Sequence, residues 1–190
     1  DELDQTVEVT LASPNNATLG VNTVHTYTIL DNDPAPTLLI DDVTQAEGNS
    51  GTTSFTFTVT KTGATDLSSS VNFTTADGTA IGNASCGVGF DYQSQTGMLT
   101  FAPSDLTKTI TVLVCGDAVN EANDTFLVNL TSPVNATVSD NQGLGTITND
   151  DPVPTLSIDD VTQAEGNSGT ASFTFTVTKT GATDLSSSVN

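Results

Sequence analysis

The feature that most constrains the fold of this chain is an internal repeat. Residues 34–72 recur as residues 152–190, 118 positions later, and only three of the 39 aligned residues differ. Residues 2–18 also align with residues 121–137, at an offset one residue longer. Self-similarity at a fixed period indicates a tandem array in which each repeat is one folded unit.

The repeat divides the chain into three segments. We expect the end of one repeat in residues 1–33, a complete repeat in residues 34–151 and the beginning of the next in residues 152–190. Both chain ends fall inside a repeat, so we expect neither to be a biological terminus. The linkers at 34–36 and 152–154 each carry two prolines, which favour stiff, extended backbone.

Apolar and polar residues alternate through most of the complete repeat, as at 55–59, 110–114 and 126–130. A period of two, with many Thr, Val and Phe residues, predicts half-buried β-strands. The predicted strands are 37–43, 53–61, 69–75, 90–95, 98–115, 124–131 and 143–149. The long fifth segment either bends or includes part of a hairpin. About seven short strands in a repeat of about 118 residues predict an all-β fold, an Ig-like antiparallel β-sandwich.

Charge narrows the range of partners. The chain has 23 acidic residues against three lysines and no arginine, which gives a net charge of −20. Such a chain repels nucleic acid and anionic membrane surfaces, because both bind through basic residues. No apolar run reaches the roughly 20 residues of a membrane span. Most of the acids are Asp, a residue typical of turns, so we expect carboxylates in loops. They either coat the surface with charge or bind cations.

Strand direction predicts where these acids meet. Consecutive strands of the sandwich run in opposite directions, so every second loop lies at the same end. The four loops that share one end carry seven acids: Glu47, Asp77, Asp117, Glu121, Asp124, Asp150 and Asp151. Carboxylates gathered in this way repel one another unless a counterion lies among them. Ca²⁺ accepts six to eight oxygen ligands, whereas zinc favours His and Cys, and the complete repeat has no His. The sequence therefore predicts a Ca²⁺ site; a solvated acidic end is the alternative.

Seven stretches of the complete repeat occur in a specific combination: Glu47-Gly48, TTADGTA (74–80), Asp91-Tyr92, SQTGMLTFAP (94–103), TKTITV (107–112), CGDAVNEANDTFLVNL (115–130) and GTITNDD (145–151). Together they make the complete repeat resemble a Calx-beta domain. The resemblance implies that the seven acids named above are calcium ligands. Two positions depart from the family pattern, since Gly116 and Asn149 stand where acids can occur. We therefore expect fewer ions, or weaker sites, than in the members of the family that belong to sodium–calcium exchangers. In the flanking segments it implies partial sites at Glu2, Asp31, Asp33 and Glu165.

Two further residues map to the acidic end, Cys86 and Cys115. We expect them to form a disulfide, with two buried thiols as the alternative. Nucleophilic catalysis is not expected, because the only histidine, His25, belongs to another repeat. Paired carboxylates without an aromatic-lined cleft do not indicate a glycosidase either. The sequence thus predicts a protein that is not an enzyme.

The combined features predict a calcium-binding structural or adhesive repeat of an extracellular surface protein or fibre. Calcium would stiffen the joints between repeats, and neighbouring repeats of the same or identical chains would be the main partners. The alternative is a calcium-dependent module that binds an extracellular protein or a glycan. A regulatory calcium sensor is disfavoured, because a sensor needs one or two tuned domains rather than near-identical tandem copies.

Overall fold

A computed structural model describes all residues from 1 to 190, and every regular element in it is a β-strand. The structure contains no helix capable of spanning a membrane. Most of the seventeen strands lie in two sheets formed by residues 37–148. The strands are β1 Gln5–Thr10, β2 Val24–Ile29, β3 Thr37–Ile40, β4 Val43–Ala46, β5 Gly51–Thr62, β6 Ser69–Asp77, β7 Gly82–Asn83, β8 Tyr92–Gln93, β9 Thr96–Phe101, β10 Thr107–Gly116, β11 Val119–Asn120, β12 Asp124–Val134, β13 Thr137–Asp140, β14 Gln142–Thr148, β15 Thr155–Ile158, β16 Val177–Thr180 and β17 Ala182–Thr183.

The two sheets pack face to face. Sheet I has six strands in the order β13-β3-β5-β10-β8-β7, and sheet II has five in the order β4-β14-β12-β6-β9. The long central pairs, β5 with β10 and β12 with β6, are antiparallel. The predicted all-β Ig-like sandwich is therefore confirmed.

The core lies between the sheets and follows the alternation seen in the sequence. Phe55, Phe57 and Val59 of β5 are fully buried, while their polar neighbours face outward. The ring of Phe126 links the two sheets: its centroid lies 5.8 Å from those of Phe55 and Phe57, and it stacks on Tyr92 at 4.7 Å. Buried aromatic pairs of this kind contribute about 1 kcal/mol each beyond the area they bury.

Some predicted strands are divided differently. The predicted strand 37–43 is two strands, β3 in sheet I and β4 in sheet II. The predicted strand 98–115 is likewise two, since β9 pairs with β6 in sheet II and β10 pairs with β5 in sheet I. The predicted strand at 90–95 shrinks to β8, and the last predicted strand is preceded by β13. In each long segment the chain crosses from one sheet to the other, which alternation alone does not reveal.

The flanking segments form small ribbons beside the sandwich. Strands β1 and β2 pair as one hairpin, and β15 pairs antiparallel with β16. Apolar side chains of these segments are largely exposed: Phe173 and Phe175, which precede β16 and align with the buried Phe55 and Phe57, keep 46% and 54% of their surface. In these segments no second sheet covers the residues that form the core in the complete repeat.

Candidate metal site at one end of the sandwich

The acidic end of the sandwich is built from four chain segments. They follow β4, β6, β10 and β14, whose carboxyl ends all point the same way. We call this end the acidic pole, and define it by the seven acids predicted from the sequence together with Asp91. The members are Glu47, Asp77, Asp91, Asp117, Glu121, Asp124, Asp150 and Asp151.

The tightest part of the acidic pole consists of Glu47, Asp150 and Asp151, which offer carboxylate oxygens within 4.8 Å of one another. Their proximity follows from the parallel pairing of β4 with β14, in which Ala46 lies opposite Thr148. Because parallel strands end at the same edge, the residues that follow each strand meet there.

Hydrogen bonds hold this cluster in place but leave two oxygens without partners. The amide of Gly48 donates to Asp150 Oδ1, and the side-chain amide of Asn49 donates to Asp151 Oδ1, both at 3.1 Å. Glu47 Oε1 and Asp151 Oδ2 are buried and accept no hydrogen bond. Glu47 retains 3% of its surface exposure and Asp151 retains 6%. A buried carboxylate oxygen without a partner is costly, so this cluster suits a cation.

Electrostatics point the same way. Burial, followed by repulsion from Glu121, Asp117, Asp151 and Asp150, raises the pKa of Glu47 from 4.5 to about 8. Burial and the neighbouring Asp150 and Asp117 also raise the pKa of Asp151. A positive ion at this position would reverse both effects, because it favours the charged carboxylates.

The segment after β10 adds Asp117 and Glu121. The pKa of Glu121 is raised to about 7, chiefly by burial and then by Asp117. Asp117 Oδ1 accepts the amide of Val119 at 2.7 Å, which fixes the turn. Repulsion from Asp117 contributes to the raised pKa of both Glu47 and Glu121, so the segment after β10 is electrostatically coupled to the tight cluster.

The two departures from the family pattern have structural roles. Asn149 accepts the amide of Glu121 through Oδ1 at 3.2 Å and donates to the carbonyl of Asp151 at 3.1 Å, so it braces two segments of the acidic pole. Gly116 lies against the backbone of the loop after β4, and a Cβ there would fall 2.0 Å from the carbonyl oxygen of Gly48. An acidic side chain at position 116 would require the two segments to separate.

A second group of acids surrounds the loop after β6. Asp77 Oδ1 accepts the Tyr92 hydroxyl at 2.6 Å and the Gly82 amide at 2.9 Å, and these bonds lower the pKa of Asp77. Burial raises the pKa of Asp91, with repulsion from Asp124, Asp117 and Asp77 added. The ligand set predicted from the sequence omits Asp91. The Asp91-Tyr92 pair, one of the stretches that carry the family resemblance, was the signal that could have added Asp91 to the acidic pole.

The predicted partial sites in the flanking segments are less complete. Glu2 and Asp33 line a small cavity together with Asp66 of the complete repeat. Asp31 accepts the amide of Asp33 at 3.4 Å. Glu165 lies in an exposed segment outside regular structure. The ligand roles of these residues remain predictions.

The expected disulfide between Cys86 and Cys115 is present, with the two Cα atoms 5.6 Å apart. It ties the loop that follows β6 to the end of β10, two residues before Asp117. The amide of Cys115 also donates to the carbonyl of Asp91 at 2.8 Å. The disulfide thus joins two of the segments that build the acidic pole.

The fold and this site define an Ig-like β-sandwich that carries a cluster of carboxylates at one end. The sequence model of the Calx-beta domain matches residues 31–152. The chain therefore belongs to the Calx-beta family, as the sequence resemblance implied.

Solved structures agree with this assignment. The apo form of the Calx CBD1 domain shares 23% identity at a TM-score of 0.53, covering 62% of this chain and 100% of that domain. CBD12 from CALX1.2 shares 24% identity at a TM-score of 0.52, covering 60% of this chain and 46% of that one. The calcium-binding domain CBD12 of CALX1.1 is similar at 24% identity and a TM-score of 0.50. This chain thus spans less than half of the CBD12 structure from CALX1.2. No curated protein sequence matches it.

Proposed function

We propose that the acidic pole binds Ca²⁺ and that the chain is part of a tandem array of calcium-stiffened Calx-beta repeats. The observation that carries this proposal is the pair of buried, unpartnered oxygens, Glu47 Oε1 and Asp151 Oδ2, within one carboxylate cluster. Leaving such atoms without a partner costs on the order of 1–3 kcal/mol each, and more when they are charged. A cation coordinated by both oxygens would remove that cost.

The chemistry of the donors favours calcium. The acidic pole offers carboxylate, amide and backbone oxygens, and the sulfur atoms beside it are consumed in the Cys86–Cys115 disulfide. Ca²⁺ takes six to eight oxygen ligands in flexible geometry, whereas Mg²⁺ retains more water. Glu47, Asp150 and Asp151 would hold one ion, with Asp117 and Glu121 completing its surroundings. The group around Asp91 would support a second ion. The similar CBD12 domain of CALX1.1 is described as calcium-binding.

The bound ion would neutralise like charges and keep the four loops together, a structural role without catalysis. The disulfide is consistent with an oxidising, extracellular setting, and the near-identical segments support an array on a cell surface or in a fibre. Neighbouring repeats of the same or identical chains are the partners that this arrangement implies.

A calcium titration of matched variants tests the proposal. Asp151→Asn removes a charge from the tight cluster, whereas Asp160→Asn removes one from an exposed position in the next segment. We expect the wild-type chain and D160N to unfold at a higher temperature in Ca²⁺ than in EDTA. A site at 100 times its Kd adds about 2.7 kcal/mol, and D151N should lose most of this gain.

Mg²⁺ in place of Ca²⁺ should give a smaller effect. A thermal midpoint that is the same in Ca²⁺ and EDTA would refute calcium binding. Equal calcium responses in D151N and D160N would refute the assignment of the site. Far-UV circular dichroism in EDTA establishes that each variant is folded before the comparison is made.

A further inference from the structure

The loop that follows β5 contacts the preceding repeat. It has the sequence Gly-Ala-Thr-Asp at residues 63–66 and again at residues 181–184. In the second copy, β17 pairs in parallel with β11, the short strand just before Glu121 in the acidic pole. Two segments that belong to successive repeats therefore share backbone hydrogen bonds.

One more backbone hydrogen bond and the Thr183 side chain reinforce this pairing. The amide of Asp184 donates to the carbonyl of Asn120 at 3.2 Å, and the Thr183 hydroxyl donates to the same carbonyl at 2.5 Å. The Thr183 oxygen in turn accepts the amide of Leu185 at 3.0 Å. One hydroxyl thus closes its own loop and binds the neighbouring repeat.

An equivalent contact occurs at the other end of the complete repeat, with the same backbone hydrogen bond but with a side-chain oxygen as the acceptor for the threonine. The amide of Asp66 donates to the carbonyl of Asp1 at 3.0 Å, and the Thr65 hydroxyl donates to Asp1 Oδ2 at 3.0 Å. The amide of Leu67 donates to the Thr65 hydroxyl at 3.0 Å, as Leu185 does to Thr183. Asp1 precedes Glu2 as Asn120 precedes Glu121. Two joints with different residues on the preceding repeat therefore form one pattern.

The glycine of each loop packs on the linker. Gly63 has a φ of 110° and Gly181 a φ of 106°, values that other residues rarely adopt. A Cβ on Gly63 would lie 3.2 Å from Pro36 Cα, and one on Gly181 would lie 3.1 Å from Pro154 Cα. The linker between repeats is therefore held against the loop that contacts the preceding repeat.

The surface of the preceding repeat that this loop contacts is fixed by a hydrogen bond. Asn120 is buried, and its side-chain amide donates to the carbonyl of Asp151 at 3.3 Å. The contact thus bridges the segment after β10, the end of the complete repeat and the loop of the next repeat. In the contact between residues 181–184 and Asn120, every hydrogen-bonding group is a backbone group, a side-chain amide or a hydroxyl. This contact therefore requires no ion.

We propose that this Gly-Ala-Thr-Asp loop is a latch that docks each repeat onto the one before it, with a further copy of the repeat as its partner and without need of a cation. The threonine hydroxyl is the residue-specific part of the latch. The contact between the glycine and the linker proline fixes the backbone position of the loop relative to the linker.

Hydrogen exchange in the full chain tests the latch, with EDTA present throughout. Thr183→Val removes the hydroxyl while keeping the shape of the side chain, and Thr183→Ser is the matched control that keeps the hydroxyl. In wild type and T183S, the Asp184 amide should exchange at least about tenfold more slowly than in T183V. The Asp66 amide at the other joint should be unaffected in T183V and deprotected in Thr65→Val.

The latch is refuted if the Asp184 amide of the wild-type chain is unprotected in EDTA, even if calcium then restores protection. It is also refuted if T183V exchanges as slowly as wild type. Calcium affinity, measured on the same samples by calorimetry, reports the proposed function separately. A chain with a protected Asp184 amide and no calcium binding would leave the latch standing and refute the calcium proposal.

Discussion

Removing the charge of Glu47 should stabilise the calcium-free protein at alkaline pH. In the folded chain the pKa of Glu47 is raised from 4.5 to about 8. The folded state therefore holds a proton that the unfolded state releases, and this contribution to stability is complete below about pH 4.5. It is lost as the pH rises to about 8, above which the buried carboxylate is charged. Glu47→Gln has no such charge and should not show this loss.

The size of the effect follows from the difference between the two pKa values. At about 1.4 kcal/mol per pH unit, full conversion would give about 5 kcal/mol. Burial is the largest cause of the shift and should persist, whereas the repelling acids Asp117 and Asp150 face solvent, which screens them. We therefore expect less than the full value, about 2 kcal/mol. Urea unfolding in EDTA should show E47Q to be more stable than wild type by this amount at about pH 8.5, with the difference shrinking towards pH 5.

The control is Glu8→Gln, which removes an exposed carboxylate from β1. E8Q should follow wild type at every pH, and calcium should stabilise wild type and E8Q but not E47Q. If E47Q is less stable than wild type at pH 8.5 in EDTA, or if the difference between them does not depend on pH, the reasoning about the buried carboxylate is wrong.

Three further outcomes are expected. Reducing the disulfide, which spans 29 residues, should lower the free energy of unfolding by about 3 kcal/mol and weaken calcium binding; unchanged calorimetry under reducing conditions would contradict this. Tyr92→Phe should cost about 1–2 kcal/mol at neutral pH and less in acid, where Asp77 is protonated and no longer gains from the hydroxyl; chemical unfolding at both pH values measures it. Asp184→Asn should lower the pKa of Glu121, because Asp184 is one of the acids that raise it; a carboxyl NMR titration without calcium would contradict this if the pKa stays the same.

Residue alternation predicted the sandwich, but it could not show where the chain changes sheets. Asp41 and Asp42 explain the first crossing. Asp41 Oδ1 accepts the amide of Thr58 in sheet I at 2.6 Å, and Asp42 Oδ1 accepts the amide of Leu144 in sheet II at 2.7 Å. Adjacent aspartates thus bind different sheets. In the sequence they look like ordinary turn residues, because their partners lie far along the chain.

The rule that every second loop lies at the same end predicted that the seven acids share one end of the sandwich. It could not show which of their carboxylates lie closest together. The proximity of Glu47 to Asp150 and Asp151 depends on the parallel pairing of β4 with β14. A purely antiparallel strand order does not contain that pairing. Asp91 was left out of the predicted set, because its burial and its repulsion by Asp124 depend on how the loops fold together. Of the seven predicted residues, the structure brings the carboxylates of Glu47, Asp150 and Asp151 within 4.8 Å of one another, and the ligand roles of all seven stay predictions.

The latch and the acidic pole act on the same joint in opposite ways when calcium is absent. The latch brings Asp184 of one repeat beside the segment that carries Glu121 of the repeat before it. Their repulsion contributes to the raised pKa of Glu121. Neutral hydrogen bonds would then keep successive repeats in contact, while like charges at the edge of that contact push them apart. If the acidic pole binds calcium as proposed, the ion would remove the repulsion and leave the hydrogen bonds unchanged. On this reasoning, calcium changes the stiffness of the joint rather than the identity of the surfaces that meet there.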